Sequence, residues 1–178
     1  MFMLKVLTIF LLIVLAQSAA SAQQLVLWQD TKTLKYGFSD MEGKIVIEPQ
    51  FDMVKRMQNG MWISKVGKKY GVLTKGGKEL IAPKYDNVQI IANSYAIVSI
   101  DKKYGVVDAK GKEIIAPEYE GVQVLHNGWI KVNNGAKLGC YTLEGKQVLA
   151  AEYDEIKFLE GHRLQSRKGA AMQTHAMK

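Results

Sequence analysis

The chain has 178 residues, 48% of them apolar and 23% charged, with 3 prolines, 16 glycines and 1 cysteine. That balance excludes a disordered or collagen-like polymer, and a lone cysteine excludes an internal disulfide framework or a cysteine-based zinc cluster. The formal net charge of +7 admits an anionic partner without requiring one.

Residues 1–22 read as a secretory signal peptide. Lys5 supplies a short positive region, Val6 to Leu15 an apolar run, and Ala20-Ser21-Ala22 a small-x-small cleavage site. The run is short for a membrane span, which takes about 20 residues. No integral span is therefore expected once the segment is removed. The mature protein is expected to begin at Gln23 and to be exported, to the periplasm or the extracellular face of the cell envelope. In an oxidising compartment Cys140 either stays buried as a small hydrophobe or pairs with another chain.

The rest of the chain repeats. Tyr36-Gly37, Tyr70-Gly71, Tyr104-Gly105 and Leu138-Gly139 follow each other at steps of 34 residues. Gly43-Lys44, Gly77-Lys78, Gly111-Lys112 and Gly145-Lys146 keep the same step, as do Pro49, Pro83 and Pro117, with Ala151 in the fourth copy. Phe51, Tyr85, Tyr119 and Tyr153 are each followed by an acid: Asp52, Asp86, Glu120 and Asp154. Residues 70–85 and 104–119 agree at 10 of 16 positions, so the register is not accidental.

Each copy reads as β structure. In the third, Tyr95 to Ile100 and Tyr104 to Val107 are short strands. Asp108-Ala109-Lys110-Gly111 is a turn signal, Lys112 to Ile115 is a strand ended by Pro117, and Tyr119 to Leu125 is a fourth strand. No ten-residue window has a helical apolar period. Recurring apolar columns mark the core: Val46, Leu80, Ile114 and Val148; Ile47, Ile81, Ile115 and Leu149; Val54, Val88, Val122 and Ile156; Phe38, Val72, Val106 and Cys140. Trp28 lies one period before Trp62, and Gly169-Ala170 one period after Gly135-Ala136. Partial copies are therefore expected at both ends, the last of them over residues 163–172 and more polar than the others.

The fold class is all-β, a tandem β-hairpin repeat array that is open and twisted. The alternative is a small closed β-propeller, although propeller blades usually take about 40 residues or more. The domain plan is a signal peptide over 1–22, a repeat domain over 23–172 made of four 34-residue units with partial terminal units, and a tail over 173–178. These residues resemble the WG-repeat family, whose unit runs aromatic-Gly-aliphatic, Gly-Lys, two aliphatics, Pro, then aromatic-acid. Tyr70-Gly71-Val72, Gly77-Lys78, Leu80-Ile81, Pro83 and Tyr85-Asp86 carry that pattern. The fourth copy departs from it at Leu138, Cys140 and Ala151. The resemblance implies a bacterial, often exported β-repeat module and transfers no catalytic residue.

Catalytic chemistry has little to stand on. His126, His162 and His175 share no repeat column, and no P-loop, dinucleotide fingerprint, nucleophile elbow or calcium loop is present. No metal and no cofactor is expected. The acidic column recurs once per copy, which fits turn capping or pairing with lysines better than acid–base work. Two lysine columns, Lys35, Lys69, Lys103 and Lys137, and Lys44, Lys78, Lys112 and Lys146, would form charged rows. Yet residues 23–156 carry 18 basic and 16 acidic side chains, too even a balance for nucleic acid. The expectation is a non-enzymatic binding or scaffold module with an envelope protein partner. The alternative is binding of an envelope glycan or other anionic polymer, for which Trp62, Trp129, Tyr85, Tyr119, Lys69 and Lys103 are the candidate contacts.

Overall fold

The computed structural model describes residues 24–91, 95–125, 128–160 and 163–176; the expected signal peptide, His126 and His162 lie outside them. All regular structure among the described residues is β. Eighteen strands form five antiparallel sheets. The first holds β1 (Val26–Gln29), β2 (Tyr36–Ser39) and β3 (Ile45–Phe51). The second holds β4 (Met53–Arg56), β5 (Trp62–Val66), β6 (Lys69–Leu73) and β7 (Glu79–Tyr85). The third holds β8 (Asn87–Ile90), β9 (Ala96–Ile100), β10 (Lys103–Val107) and β11 (Glu113–Tyr119). The fourth holds β12 (Gly121–Val124), β13 (Trp129–Asn134), β14 (Lys137–Thr142) and β15 (Gln147–Tyr153), and the fifth β16 (Glu155–Leu159), β17 (Arg163–Lys168) and β18 (Ala171–Ala176). Strands follow chain order within every sheet. Among the described residues β1 pairs only with β2 and β18 only with β17, so the array is open rather than a closed propeller.

Two details of the strand assignment differ from expectation. Proline does not end the third strand of a copy: β11 continues through Pro117 to Tyr119. The reason is a bulge. Tyr104 faces Tyr119 while Val106 faces Ile115, so four steps on β11 oppose two on β10, and the proline falls where no ladder N–H is needed. The fourth expected strand is also divided. Tyr119 closes one sheet, Glu120 is the joint, and Gly121 opens the next. The structural sheet is thus offset from the sequence repeat.

The bulge explains the repeated aromatic-glycine pair. At Gly71 an added Cβ would lie 2.5 Å from the Ile81 carbonyl oxygen and 2.8 Å from Pro83 N. The bulged strand folds directly over that backbone, and only hydrogen fits. The Gly-Lys turns have a different requirement. Asp108 N–H donates to Lys112 O at 2.8 Å, Gly111 N–H donates to Asp108 O at 3.0 Å, and Gly111 has φ +84°. This is a three-residue hairpin loop closed by a left-handed residue. Asp108 Oδ1 also accepts from Lys110 and Lys112 N–H, each at 2.9 Å, as the turn signal predicted.

The sheets stack face to face, and the core lies in the four seams between them. Phe38 and Phe51 meet Trp62 and Leu73 in the first seam. Val72, Ile81 and Tyr85 meet Val88, Ala96, Val98 and Val107 in the second. Val106, Ile115 and Tyr119 meet Ile130, Val132 and Tyr141 in the third, and Cys140 and Leu149 meet Ile156 and Leu164 in the fourth. Each fully buried aliphatic side chain contributes about 1.5–3 kcal/mol. On β7 Ile81 is buried in the second seam, half-buried Leu80 packs against the same cluster, and Glu79 turns out. In the first sheet Ile45 is exposed like Glu79, Glu113 and Gln147 in its column, and Val46, the equivalent of Leu80, is exposed as well. The last hairpin is longer than the sequence reading, since β18 runs to Ala176. Cys140 is fully buried and free, and burial pushes its thiol up to about 11, which leaves it a small hydrophobe.

Candidate functional site

The repeated polar residues converge on the joints between sheets. Each joint acid accepts from a lysine on the sheet it leaves and from a backbone N–H on the sheet it enters. Asp86 takes Lys69 Nζ at 2.6 Å and Asp101 N–H at 2.8 Å. Glu120 takes Lys103 Nζ at 3.3 Å and Gly135 N–H at 2.8 Å. Asp154 takes Lys137 Nζ at 2.5 Å and Gly169 N–H at 2.7 Å, and Asp52 takes Lys35 and, at 2.6 Å, Gly67 N–H. The N–H donors sit in the tight turns of β5–β6, β9–β10, β13–β14 and β17–β18, where Gly67, Asp101, Gly135 and Gly169 have φ between +49° and +59°. These bonds hold all four carboxyls below their ordinary range; the lysine leads at Asp52, Asp86 and Asp154, and the backbone N–H at Glu120. A carboxylate tied on both oxygens in this way staples consecutive sheets.

The candidate contact residues fall into two groups. Tyr85, Tyr119, Trp62 and Trp129 are 1%, 5%, 8% and 3% exposed, so their rings lie in the seams and form no exposed row. Tyr85 Oη donates to Glu113 Oε2 of the next sheet at 2.6 Å, and the hydroxyls of Tyr119 and Tyr141 meet across the third seam at 2.5 Å. Trp62 packs edge-on to Phe38, with centroids 5.1 Å apart, and Trp129 packs on Phe158 at 5.7 Å. Lys69 and Lys103 reach solvent but spend their ammonium groups on Asp86 and Glu120. The structure therefore does not bring these six together. It distributes them along the stack, over the second, third and fourth sheets. Of the histidines, His175 shares a hydrogen bond with Ser166 at 2.9 Å. Among the described residues no group of three or more His, Cys, Asp or Glu side chains is placed to hold a metal ion.

One feature breaks the periodicity. A cleft of about 480 Å³ opens at the rim of the first seam, lined in part by Arg56, Gln58, Gly60, Trp62 and Lys75. Arg56 stands one period before Ile90, which with Val124 and Phe158 fills the equivalent place in the later seams. Arg56 faces Trp62 across the β4–β5 ladder and sets its guanidinium carbon 5.5 Å from the indole centroid. The signal was in the sequence, as a charged residue in an otherwise apolar column, but its weight was not visible until the column proved to line a seam.

No curated protein matches the chain. Among solved structures, a eukaryotic initiation factor is similar at 10% identity and a TM-score of 0.41, over 87% of this chain and 49% of its own. PorZ, a surface component of the type-IX secretion system of Porphyromonas gingivalis, is similar at 9% identity and a TM-score of 0.33, over 86% of this chain and 26% of its own. YCF48 bound to D1 peptide is similar at 10% identity and a TM-score of 0.31, over 88% and 62%. The chain thus spans about half the length of the first of these and about a quarter of the second. The repeat pattern itself is matched three times in succession, over residues 36–70, 70–104 and 104–137, by a single family. With its glycine, proline and aromatic-acid columns accounted for by bulge, turn and joint, the chain belongs to the WG containing repeat family.

Proposed function

We propose that this protein is an exported, non-enzymatic binding or scaffold module that engages a protein partner through the exterior of its repeat array. The observation that supports it is how the repeated chemistry is used. The four acids, their four lysines and the aromatic columns are consumed in holding one sheet to the next. What varies from sheet to sheet is the exposed surface, which is how a stacked array presents an extended recognition face. Among the described residues no helix is long and apolar enough to cross a membrane. The domain plan of an address over 1–22 followed by the array belongs to the same proposal. The alternative, a glycan or anionic polymer held along aromatic and lysine rows, has less support. The rings are interior and Lys69 and Lys103 are paired.

The test is affinity capture from an envelope extract, competed with the untagged chain and repeated with Lys44, Lys78, Lys112 and Lys146 changed to Glu. The expected result is a protein captured reproducibly, displaced by competitor and reduced by the charge reversal. Absence of any competed partner overturns the reading, as does hydrolysis of a model substrate that is lost on replacing one joint acid.

A further inference from the structure

The cleft at the first seam is a built feature rather than a packing defect. Its lining combines two cations, Arg56 and Lys75, with amide side chains and an indole, and carries no carboxylate. Neither cation joins an ion pair among the described residues. Both are held in place. Arg56 lies over the Trp62 ring, and the Lys75 stem crosses Gly60, where an added Cβ would lie 3.0 Å from Cε and 3.1 Å from Cδ. Gly60 has φ +82° within the β4–β5 turn, closed by Gly60 N–H donating to Met57 O at 2.9 Å, so that floor is backbone. Trp62 is 92% buried, and its indole Nε1 has no hydrogen-bond partner among the described residues. That nitrogen is sealed from solvent, so the groups the cleft offers a ligand are the guanidinium, the ammonium and the amides of the rim. The volume suits one or two sugar rings.

We propose that this cleft binds a sugar carrying an oxyanion, a carboxylate or a phosphate, with the guanidinium of Arg56 and the ammonium of Lys75 taking the charged group and the amides of the rim taking hydroxyls. A planar guanidinium already held over an indole is pre-organised for a forked pair of bonds to such an oxyanion. Among the described residues the later seams have no counterpart, because Ile90, Val124 and Phe158 pack into the equivalent place there.

The experiment is calorimetric titration of the purified full chain with a uronate trisaccharide, a hexose phosphate and a neutral trisaccharide. At least one anionic sugar is expected to bind ten-fold or more tightly than the neutral one, and the arm that binds identifies the oxyanion. Arg56→Ala is expected to weaken it at least ten-fold, Arg56→Lys and Lys75→Ala by about three-fold each, and Lys110→Ala, in the equivalent turn of the third sheet, not at all. Binding should also weaken as salt is raised. Equal affinity for neutral and anionic sugars, or an Arg56→Ala/Lys75→Ala variant that melts like the parent and binds as well, overturns the proposal. Partner capture depends on other residues, so either proposal can fail without the other.

Discussion

The first and third seams occupy the same place in the repeat and are filled differently. In the third, Ile130 and Val132 are fully buried, Val124 packs beside them, and the Tyr119 and Tyr141 hydroxyls find each other. In the first, the positions of Ile130, Val132 and Val124 are held by Trp62, Ser64 and Arg56; the indole nitrogen and the Ser64 hydroxyl are buried without partners, and the rim is open. The backbone frame does not change: the joint acid, the bulge over glycine and the left-handed turn glycine are present at both. The lesson is that the frame and the filling are separable. Local turn and bulge chemistry sets the path of the chain, and side chains between sheets can then trade packing for a site.

The largest effect should come from attacking the frame. Gly71→Ala places a methyl group against the Ile81 carbonyl and is expected to cost 3 kcal/mol or more, roughly the upper range for a single substitution. A thermal melt within a few degrees of the parent would show that the bulge can relax. Attacking the filling of the closed seam comes next. Ile130→Ala removes a fully buried side chain and should cost about 2–4 kcal/mol by denaturant titration. Arg56→Ala in the open seam should cost well under half as much, since the side chain is exposed. Equal costs would erase the distinction between the seams. A gain is expected at Ser64. Its hydroxyl is fully buried and unpartnered where the second and third seams place Val98 and Val132, so Ser64→Ala should stabilise by about 1 kcal/mol. A loss instead would mean that the hydroxyl is satisfied in solution.

The smallest effects belong to the joints, whose ion pairs are half-exposed and individually weak. Their sign is still definite. Folded carboxyls held below their ordinary range contribute stability that is complete above that range and is lost as pH falls through the folded values. Melting temperature should therefore drop on acidification below about pH 4. Asp86→Asn should flatten that drop while lowering the neutral-pH melt slightly. An Asp86→Asn profile parallel to the parent's would remove the joint acid from the account.

Much of this was legible beforehand. The 34-residue step, the all-β class, the Asp108 turn and the burial of Cys140 follow from residue types at fixed spacing, because hairpin turns and strand alternation are local. The meaning of Pro117 was not legible, since a proline ends a strand unless its partner strand carries a bulge, and that depends on pairing. The aromatic rows were also ambiguous. A tyrosine repeated every 34 residues lies on a sheet face either way, and whether that face meets water or another sheet is a non-local fact. The same holds for Arg56, an ordinary surface cation by sequence.

The sequence by itself determined the period and the turn chemistry, because each needs only groups a few residues apart or one repeat step away. The tertiary structure alone decided which faces became seams, that the array stays open, and that one seam keeps a cationic cleft. Burial is created by stacking sheets that are distant along the chain, and no local pattern records how well two such faces fit.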